Sequence, residues 1–419
     1  MTAQTVLVYV DLNGTTHFVG QLHTRSAMGK ESASFQYAPA WLKNPVKFSL
    51  EPGLSLGPAP HHTAESRKLF GAIGDSAPDR WGRTLMARAE RQRAKREKRA
   101  VRRLREIDYL LGVNDETRMG GLRFALEEEG PFLSADDASS VPPLLRLPAL
   151  LQAANRAETD SMRAEDIRLL LAPGSSLGGA RPKVSVRRTD GSLAIAKFPA
   201  RGDEYDVVRW EAVALTLASR AGIPTPEWKL MEVGGRKVIV LKRFDRTGQN
   251  RIPYLSAMSM LGATDMESHS YLEVADAIRQ HGASTREDLP GLWRRMVLSI
   301  LVSNTDDHLR NHGFLYSGSA GWRLSPAYDI NPTPTDVKPR VLSTTITFDG
   351  DPTASLELAL GVADYFGLST DEARRIAKEV GKAVSKWRTE AKRLGATPNE
   401  VERMSSAFEH EDLVLSLKE

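Results

Sequence analysis

The stretch between residues 183 and 243 constrains the fold most, because strand and helix patterns alternate there over a short length. Its short apolar runs are separated by glycine-containing turns, which is typical of strands, and its one longer apolar-periodic run is closed by Gly222. The order strand, strand, helix, strand, strand predicts a small β-rich lobe. The predicted strands are 183–186, 193–198, 227–233 and 237–243, and the predicted helix is 207–220.

A second β-rich unit opens the chain. Residues 5–22 alternate apolar and polar on both sides of Asn13-Gly14, a dipeptide that accepts the positive φ angles of a type I′ hairpin turn. A helical pattern follows, and eleven Lys or Arg lie between Arg83 and Arg105. This pattern predicts one basic helix over 83–105, before a linker at 134–147.

From residue 255 onward the pattern is mostly helical. Ser369 and Glu372 form a capping-box sequence, and Thr397-Pro398 places an N-cap before a proline at the first helical position. The sequence therefore predicts three domains, an amino-terminal module at 1–140, a β-rich lobe at 150–245 and a helical lobe at 246–419.

The composition is that of an ordinary globular protein of 419 residues, with 41% hydrophobic and 26% charged residues. The absence of cysteine excludes disulfides and thiolate metal sites, and fits a reducing compartment. Asp11 interrupts the first apolar run, which argues for a strand rather than a signal peptide, and no apolar stretch approaches the roughly 18 residues that span a bilayer. We therefore expect a cytoplasmic protein with no membrane partner.

Three residues of the helical lobe suggest phosphoryl-transfer chemistry. Asp306 and Asn311 stand in Asp-x₄-Asn spacing and Asp329 follows after a short connection, the arrangement with which protein kinases hold a hydroxyl and Mg·ATP. Asp306 would accept or orient the hydroxyl proton, whereas the oxygen atoms of Asn311 and Asp329 suit Mg²⁺, a hard cation. An Asx turn at a helix N-cap is the competing explanation for Asp306-Asp307.

The β-rich lobe offers candidates for phosphate and adenine contacts. Lys197 lies on a predicted strand between apolar residues, so it could hold the α and β phosphates with Glu211 as its partner; a snorkelling surface lysine is the alternative. The segment Lys242-Arg243-Phe244 ends the last strand, where a hinge would present backbone groups to adenine.

The segment expected to cover the phosphates departs from the kinase pattern. It lacks GxGxxG and reads Pro-Gly-Ser-Ser-Leu-Gly-Gly-Ala-Arg-Pro-Lys over 173–183, with small residues that let backbone N–H groups approach phosphate. An exposed loop is the alternative. His308 and His312 could share a helical face as zinc ligands, but the glutamate of an HExxH metalloprotease is missing.

This ordered set of motifs resembles the HipA family of bacterial toxin kinases over nearly the whole chain. The resemblance implies an α+β, protein-kinase-like two-lobed fold, with a small β-rich amino-terminal lobe and a larger all-helical carboxy-terminal lobe, preceded by a β-rich amino-terminal module. The motifs that carry it are residues 78–83, 176–183, 196–199, 243–246, 304–311 and 328–330, together with the opening hairpin.

The resemblance also implies a function. The chain would be a serine/threonine protein kinase using ATP and Mg²⁺, and the growth-arresting toxin of a type II toxin–antitoxin pair associated with persistence. Its partners would be a helix-turn-helix antitoxin similar to HipB, and operator DNA, contacted through the antitoxin complex with direct contacts from the basic helix as a further option. Its substrate would be a translation component such as an aminoacyl-tRNA synthetase.

By position, the resemblance makes Asp306 the proton acceptor, Asn311 and Asp329 the magnesium ligands, and Ser176 the autophosphorylated serine. Phosphate on Ser176 would add negative charge beside the ATP phosphates and inactivate the kinase. The implied ATP-binding residues are Gly178, Gly179, Ala180, Arg181, Pro182, Lys183, Lys197, Lys242, Arg243, Phe244, His308, Leu309, Arg310, Asn311, Tyr328 and Asp329.

Two other functions stay open at this point. The basic helix over 83–105 would suit a nucleic-acid-binding regulatory protein, although most charge runs of this kind are solvated helix faces. A pseudokinase that keeps the fold without the transfer activity is the other alternative.

Overall fold

The structure is a computed structural model that describes residues 2–27, 29–133, 141–159, 161–171, 179–265 and 267–418. The chain forms two compact units, Met1–Gly202 with Met231–Leu255 and Asp203–Leu230 with Ser256–Glu419. None of the helices in the described ranges is both long and apolar enough to cross a membrane.

The first 133 residues form a five-stranded antiparallel sheet with four short or medium helices. The strands are β1 (Thr2–Leu12), β2 (Thr15–Ala27), β3 (Lys30–Tyr37), β4 (His61–His62) and β5 (Leu122–Ala125), and the helices are α1 (Pro39–Lys43), α2 (Gly71–Gly74), α3 (Arg80–Arg96) and α4 (Glu106–Leu111). The sheet order is β4-β3-β2-β1-β5. The predicted hairpin is confirmed, since Asn13 and Gly14 have φ angles of 52° and 81° and join β1 to β2.

The basic helix predicted over 83–105 is wrong at its carboxyl end, because α3 stops at Arg96. Lys98 has a φ of 52°, and Arg99 N donates to Ala94 O at 3.0 Å, which closes the last helical turn. A lysine rather than glycine or asparagine takes the left-handed position, so the sequence carried no ordinary stop signal there.

The next elements contain the predicted β-rich lobe. They are α5 (Leu147–Glu158), α6 (Ala164–Leu171), β6 (Lys183–Arg187), β7 (Leu193–Lys197), α7 (Val207–Arg220), β8 (Trp228–Val233), β9 (Arg236–Lys242), β10 (Arg246–Thr247) and β11 (Asn250–Arg251). Four strands form a sheet in the order β6-β7-β9-β8, and the four predicted strands and the helix agree with these bounds to within a residue.

One hydrophobic core joins this sheet to the amino-terminal region. Trp81 and Leu85 of α3 belong to the same buried cluster as Val184 of β6, Ala196 of β7 and Leu150 of α5. Because α3 and the sheet lose apolar surface to each other, they stabilise each other within the first unit.

The remaining elements are mostly helical. They are β12 (Tyr254–Ser256), α8 (Ala257–Leu261), α9 (Tyr271–His281), α10 (Thr285–Leu301), β13 (Gly313–Tyr316), β14 (Trp322–Leu324), α11 (Leu356–Gly361), α12 (Thr370–Val384), α13 (Trp387–Arg393), α14 (Pro398–Arg403), α15 (Ser405–Phe408) and α16 (Glu411–Leu417). The predicted caps are confirmed, since Ser369 and Thr397 each form a capping box at the start of α12 and α14.

The expectation of an all-helical carboxy-terminal lobe is wrong in one place, where β12, β13 and β14 form a three-stranded sheet. The hairpin of β13 and β14 turns through Gly318 and Gly321, whose φ angles are 74° and 111°. Its strands have only four and three residues, which is too few to produce a readable alternation of apolar and polar positions.

Candidate functional site

The predicted catalytic residue Asp306 lies in the loop that follows α10. The chain leaves the helix through Ser303, which has a φ of 50°, and then places two adjacent acids in opposite environments. Asp306 is exposed, whereas Asp307 is only 1% exposed. Asp306 is therefore free to meet a ligand, and Asp307 belongs to the interior.

The side chain of Asn311 is held beside Asp306. Asn311 Nδ2 donates to the backbone O of Asp306 at 2.8 Å, and Asn311 is buried at 7% exposure. Its Oδ1 is also buried and has no hydrogen-bond partner in the described part of the chain. A buried carbonyl oxygen without a partner is unfavourable in free energy, and a bound cation would satisfy it.

The segment that contains Asp329 runs alongside this loop. Tyr328 Oη donates to Arg310 O at 2.8 Å, and Asn331 N donates to Asn304 Oδ1 at 3.1 Å. These bonds lie on both sides of Asp329 and hold its segment against the residues that flank Asp306 and Asn311.

Asp329 itself has an unusual backbone conformation. Its φ is 54°, in the left-handed region that non-glycine residues rarely adopt, and its side chain is half-buried. Such a conformation costs on the order of 1 kcal/mol and persists where the surroundings impose it, which is common at functional sites. The three predicted residues Asp306, Asn311 and Asp329 therefore lie on two backbone segments that are hydrogen-bonded together.

A further segment, residues 338–345, bonds to both neighbours of Asp306, and we call it the strap. Thr305 O accepts from Lys338 Nζ at 2.8 Å and from Ser343 Oγ at 2.9 Å. On the other side, Thr344 Oγ1 donates to Asp307 O at 2.7 Å, and Ser343 N donates to Asp307 Oδ1 at 2.8 Å. The strap fixes the backbone before and after Asp306 and leaves the Asp306 side chain exposed.

Asp307 is the buried anchor of this arrangement. Burial raises its pKa to about 6, and hydrogen bonds from Tyr271, Ser343 and Thr344 partly offset that rise. Tyr271 Oη donates to Asp307 Oδ2 at 2.7 Å. Asp307 thus connects α9, the strap and the loop that contains Asp306.

The two histidines near Asn311 lie in different environments. Burial lowers the pKa of His312 to about 3, with a further contribution from Arg295, so this imidazole stays neutral. His308 is half-buried, and its Nδ1 has no hydrogen-bond partner in the described ranges. Among the described residues, no three His, Asp or Glu side chains are grouped so that they could hold a metal.

Two other residues of the predicted ATP-binding set, Leu309 and Arg310, have side chains that are engaged within the protein. Leu309 is buried at 4% exposure, and the guanidinium of Arg310 pairs with the carboxylate of Asp265, with a distance of 3.0 Å from Nη2 to Oδ2. The backbone of Arg310 accepts the Tyr328 bond described above. Arg310 therefore contributes to the site through its carbonyl group.

The predicted phosphate-contacting residues lie in the first unit. Lys197 is half-buried on β7, directly opposite Lys183 on β6. Gly179 has a φ of 81°, and Gly179, Ala180 and Arg181 are exposed, as a segment that contacts a ligand should be. Pro182 O accepts from Phe198 N at 2.9 Å, which extends the pairing of β6 and β7. Ser176 and Gly178 lie outside the described residues.

Lys183 has a different environment from Lys197. Its Nζ is 3.0 Å from Asp79 Oδ2, and the two side chains are 3% and 2% exposed. The ammonium group is therefore engaged in a buried ion pair within the protein. Asp79 belongs to the motif at residues 78–83, but its partner cannot be read from the sequence because Asp79 and Lys183 are distant along the chain.

The predicted hinge is also tied to the amino-terminal region. Arg243 Nη1 donates to Thr117 O at 2.8 Å, and Arg243 Nε donates to Asp245 Oδ1 at 2.6 Å. Asp245 Oδ2 accepts from Gly120 N at 2.7 Å. Although burial raises the pKa of Asp245, Arg243 and Arg246 hold it below its usual range. The Arg243 side chain is structural, whereas Lys242 and Phe244 on either side of it are half-buried.

The basic segment that begins in the last turns of α3 carries a concentrated surface charge. Residues 91–103 contain eight Lys or Arg and one acid, so they contribute +7 to a net charge of +4 and the rest of the chain carries −3. Arg99 pairs with Glu90 at 2.6 Å, which folds the segment back beside the helix. The exposed cations without an ion pair in the described chain are Arg91, Arg93, Lys95, Arg96, Lys98 and Arg103.

Two protein-family models match separate parts of the chain. A family model described as the HipA N-terminal domain matches residues 9–108, and one described as the HipA-like C-terminal domain matches residues 175–387. The second match alone covers just over half of the chain.

Two curated relatives are each 26% identical to this chain. A Haemophilus influenzae protein matches over 182 residues, which is 38% of this chain and 52% of that protein. The Sinorhizobium fredii protein Y4dM matches over 227 residues, which is 48% of this chain and 53% of that protein. Both are provisionally named kinases, and the chain spans about half the length of each.

A solved structure extends the comparison to the whole fold. HipA from the Shewanella oneidensis MR-1 toxin–antitoxin complex with HipB and operator DNA superposes with a TM-score of 0.67 at 14% identity, covering 99% of this chain and 96% of that one. At this identity the likeness shows a shared fold.

Proposed function

Because this chain belongs to the HipA family, we propose that it is an ATP-dependent kinase that phosphorylates serine or threonine in a protein. The observation that carries the proposal is Asn311, whose buried Oδ1 lacks a partner in the described chain while its Nδ2 is bonded to Asp306 O. An oxygen in that state suits a hard cation, and phosphoryl transfer needs one beside the residue that handles the acceptor hydroxyl.

Asn311 and Asp329 would hold Mg²⁺ through the amide oxygen and the carboxylate. When bound, Mg²⁺ neutralises charge on the phosphates. Phosphate oxygens and water would complete the coordination, because Mg²⁺ in such sites is usually held by one or two carboxylates together with phosphates and several waters.

Asp306 would accept the proton of the acceptor hydroxyl. The hydroxyl oxygen bonds to the γ phosphorus while the bond between the γ phosphorus and the ADP oxygen breaks. Exposure of Asp306 suits this role, because the acceptor arrives on another protein. The strap supports the role by holding the backbone on both sides of Asp306, so the carboxylate is positioned before the substrate binds.

The nucleotide contacts fall to the first unit. Lys197 would hold the α and β phosphates, the exposed backbone of 179–181 would approach the phosphates, and the backbone of 242–244 would meet adenine. His308, Leu309 and Tyr328 are further proposed nucleotide contacts. Ser176 is the proposed autophosphorylation site.

We extend the proposal to a toxin role in the cytoplasm. The Shewanella oneidensis HipA occurs with HipB and operator DNA, and this chain shares its fold over nearly its full length. A helix-turn-helix antitoxin and operator DNA are therefore the proposed partners. A translation component, such as an aminoacyl-tRNA synthetase, is proposed as substrate from the family resemblance.

Direct nucleic-acid binding is a second candidate function. It is favoured by the unpaired cations of residues 91–103, since phosphate groups bind exposed Lys and Arg and release counterions.

The kinase proposal is tested by incubating purified protein with γ-labelled ATP and Mg²⁺. We expect the wild type to label itself, chiefly at Ser176, and Asp306→Asn to abolish labelling and relieve growth arrest on overexpression. Asp371→Asn, an exposed acid on α12, is the matched control and should label normally. Absence of label in the wild type would contradict the proposal.

A further inference from the structure

We propose that Asp79, in the amino-terminal module, is a positioning residue for nucleotide binding: it holds Lys183 and thereby fixes the base of the segment 179–183. This inference rests on the proposed kinase function, because residues 179–181 of that segment are proposed phosphate contacts. It assigns the amino-terminal module a part in ATP binding.

The ion pair lies at the junction between α3 and β6. Asp79 Oδ2 is 3.0 Å from Lys183 Nζ, and both side chains are at least 97% buried. A β-carbon added at Gly179 would lie 3.4 Å from the same Nζ. The ammonium group of Lys183 therefore lies between Asp79 and the backbone of the proposed phosphate-contacting segment.

Asp79 is itself rigidly placed. Its Oδ1 accepts from Gly82 N at 2.8 Å, which caps the first turn of α3. Trp81 and Leu85 then bury α3 in the core that also contains Val184 of β6. The cap fixes Asp79 at the start of α3, and the core fixes α3 against β6. The Asp79 carboxylate is therefore held in one position relative to Lys183.

The charges of two facing lysines give a second reason to assign Asp79 a role in nucleotide binding. Lys183 and Lys197 are directly opposite in the antiparallel pair of β6 and β7, so both side chains project from the same face of the sheet. Two like charges in that position repel each other. Asp79 neutralises Lys183 and so removes this repulsion between the two lysines.

The alternative is that Lys183 binds phosphate directly. A buried ammonium group paired with a carboxylate would have to break that pair to reach the nucleotide and would leave Asp79 unpaired, which is unfavourable. The geometry therefore favours an anchoring role for Lys183.

The test is the affinity for Mg·ATP of three variants. Asp79→Asn keeps the helix cap, because Asn caps as well as Asp, but removes the charge that holds Lys183. We expect it to weaken binding by about tenfold or more, since small displacements of a binding segment have effects of that size or larger. Lys183→Met should weaken binding to a similar extent.

The double variant Asp79→Asn with Lys183→Gln distinguishes an anchoring role of Lys183 from direct binding of phosphate by its charge. It replaces the ion pair by a neutral amide pair that can still hydrogen-bond but offers no charge to phosphate. We expect the affinity for Mg·ATP to return to within about threefold of wild type, because the hydrogen bond between the side chains at 79 and 183 would still hold the segment in place. This variant also leaves no unpaired buried charge, so it decides the question even if Asp79→Asn alone does not fold.

Two outcomes overturn the inference. Either Asp79→Asn binds Mg·ATP as wild type does, or the double variant stays as weak as Lys183→Met, which would show that the ammonium charge acts on the nucleotide. Glu90→Gln, which breaks the ion pair between buried Glu90 of α3 and exposed Arg99, is the control and should bind normally. If the wild type itself binds no nucleotide, the proposed kinase function fails, and the inference fails with it.

Discussion

Asn311 donates its side-chain Nδ2 to the backbone O of Asp306 at 2.8 Å and turns its Oδ1 into a buried position without a partner in the described chain. One side chain thus connects the proposed proton acceptor to the proposed metal site. In a kinase the proton acceptor and the metal must keep a fixed relative position, because the acceptor oxygen has to approach the γ phosphate in line with the bond that breaks.

Asn311→Ala should lower the phosphorylation rate by at least about a hundredfold, because it removes a metal ligand and the bond to Asp306 together. The rate should be measured as a function of Mg²⁺ concentration, and saturation should move to higher Mg²⁺. Asn399→Ala, at an exposed position of α14, is the control. An unchanged Mg²⁺ dependence in Asn311→Ala would show that Asn311 is not a ligand.

Thr344→Val should lower kcat by about fivefold with little change in KM for ATP. The variant keeps the size of the side chain but loses the hydroxyl that bonds Asp307 O, and one such bond contributes about 1 kcal/mol. Steady-state kinetics check this, with Thr353→Val as the exposed control. A rise in KM for ATP at constant kcat would indicate that the strap acts on the nucleotide instead of the position of Asp306.

Asp307→Asn should change how stability depends on pH. Burial raises the pKa of Asp307 from 3.8 to about 6, so the folded state binds a proton more tightly than the unfolded state does. Stability contributed by this group therefore falls as pH rises from about 4 to 6, by roughly 2 kcal/mol in total. Urea unfolding at pH 4 and pH 7 should show the wild type losing that amount relative to Asp307→Asn. Equal losses in both proteins would contradict it.

Charge reversal of Arg91, Arg93 and Lys95 to Glu should weaken association with duplex DNA or RNA and reduce its salt dependence. Each lost phosphate contact lowers the slope of log K against log salt by about 0.9 for duplex DNA. Arg88 is a poor choice for such a test, because its guanidinium donates to Ala157 O inside the protein.

The control for this experiment is reversal of Lys382, Lys386 and Lys392, which are exposed cations of the second unit. If both triple variants lose affinity equally, the charge of the whole chain and not the basic segment accounts for binding.

Elements with local signals were predictable from the sequence. The Asn13-Gly14 turn, the caps at Ser369 and Thr397, and the strands around Lys183 and Lys197 all depend on neighbours within a few residues, and the structure agrees with them. The end of α3 and the β13 and β14 hairpin were missed, because the first uses Lys98 in a glycine-like conformation and the second is too short to show a period.

The candidate site shows the same limit. Asp306, Asn311 and Asp329 could be chosen by spacing, and the structure places them on hydrogen-bonded segments. The strap and the Asp79 to Lys183 pair could not be foreseen, since their partners are between 33 and 104 residues apart in sequence. Nothing local in Thr344 or Asp79 marks it as a contact of a distant segment.

The polar contacts between the amino-terminal region and residues 183–245 have a consequence for how such proteins can exchange parts in evolution. A crossover near residue 140 would combine Asp79, Thr117 and Gly120 from one ancestor with Lys183, Arg243 and Asp245 from another. Chimaeras joined there should fold only when the two parents match at those contacts, so these positions are expected to be inherited as a set.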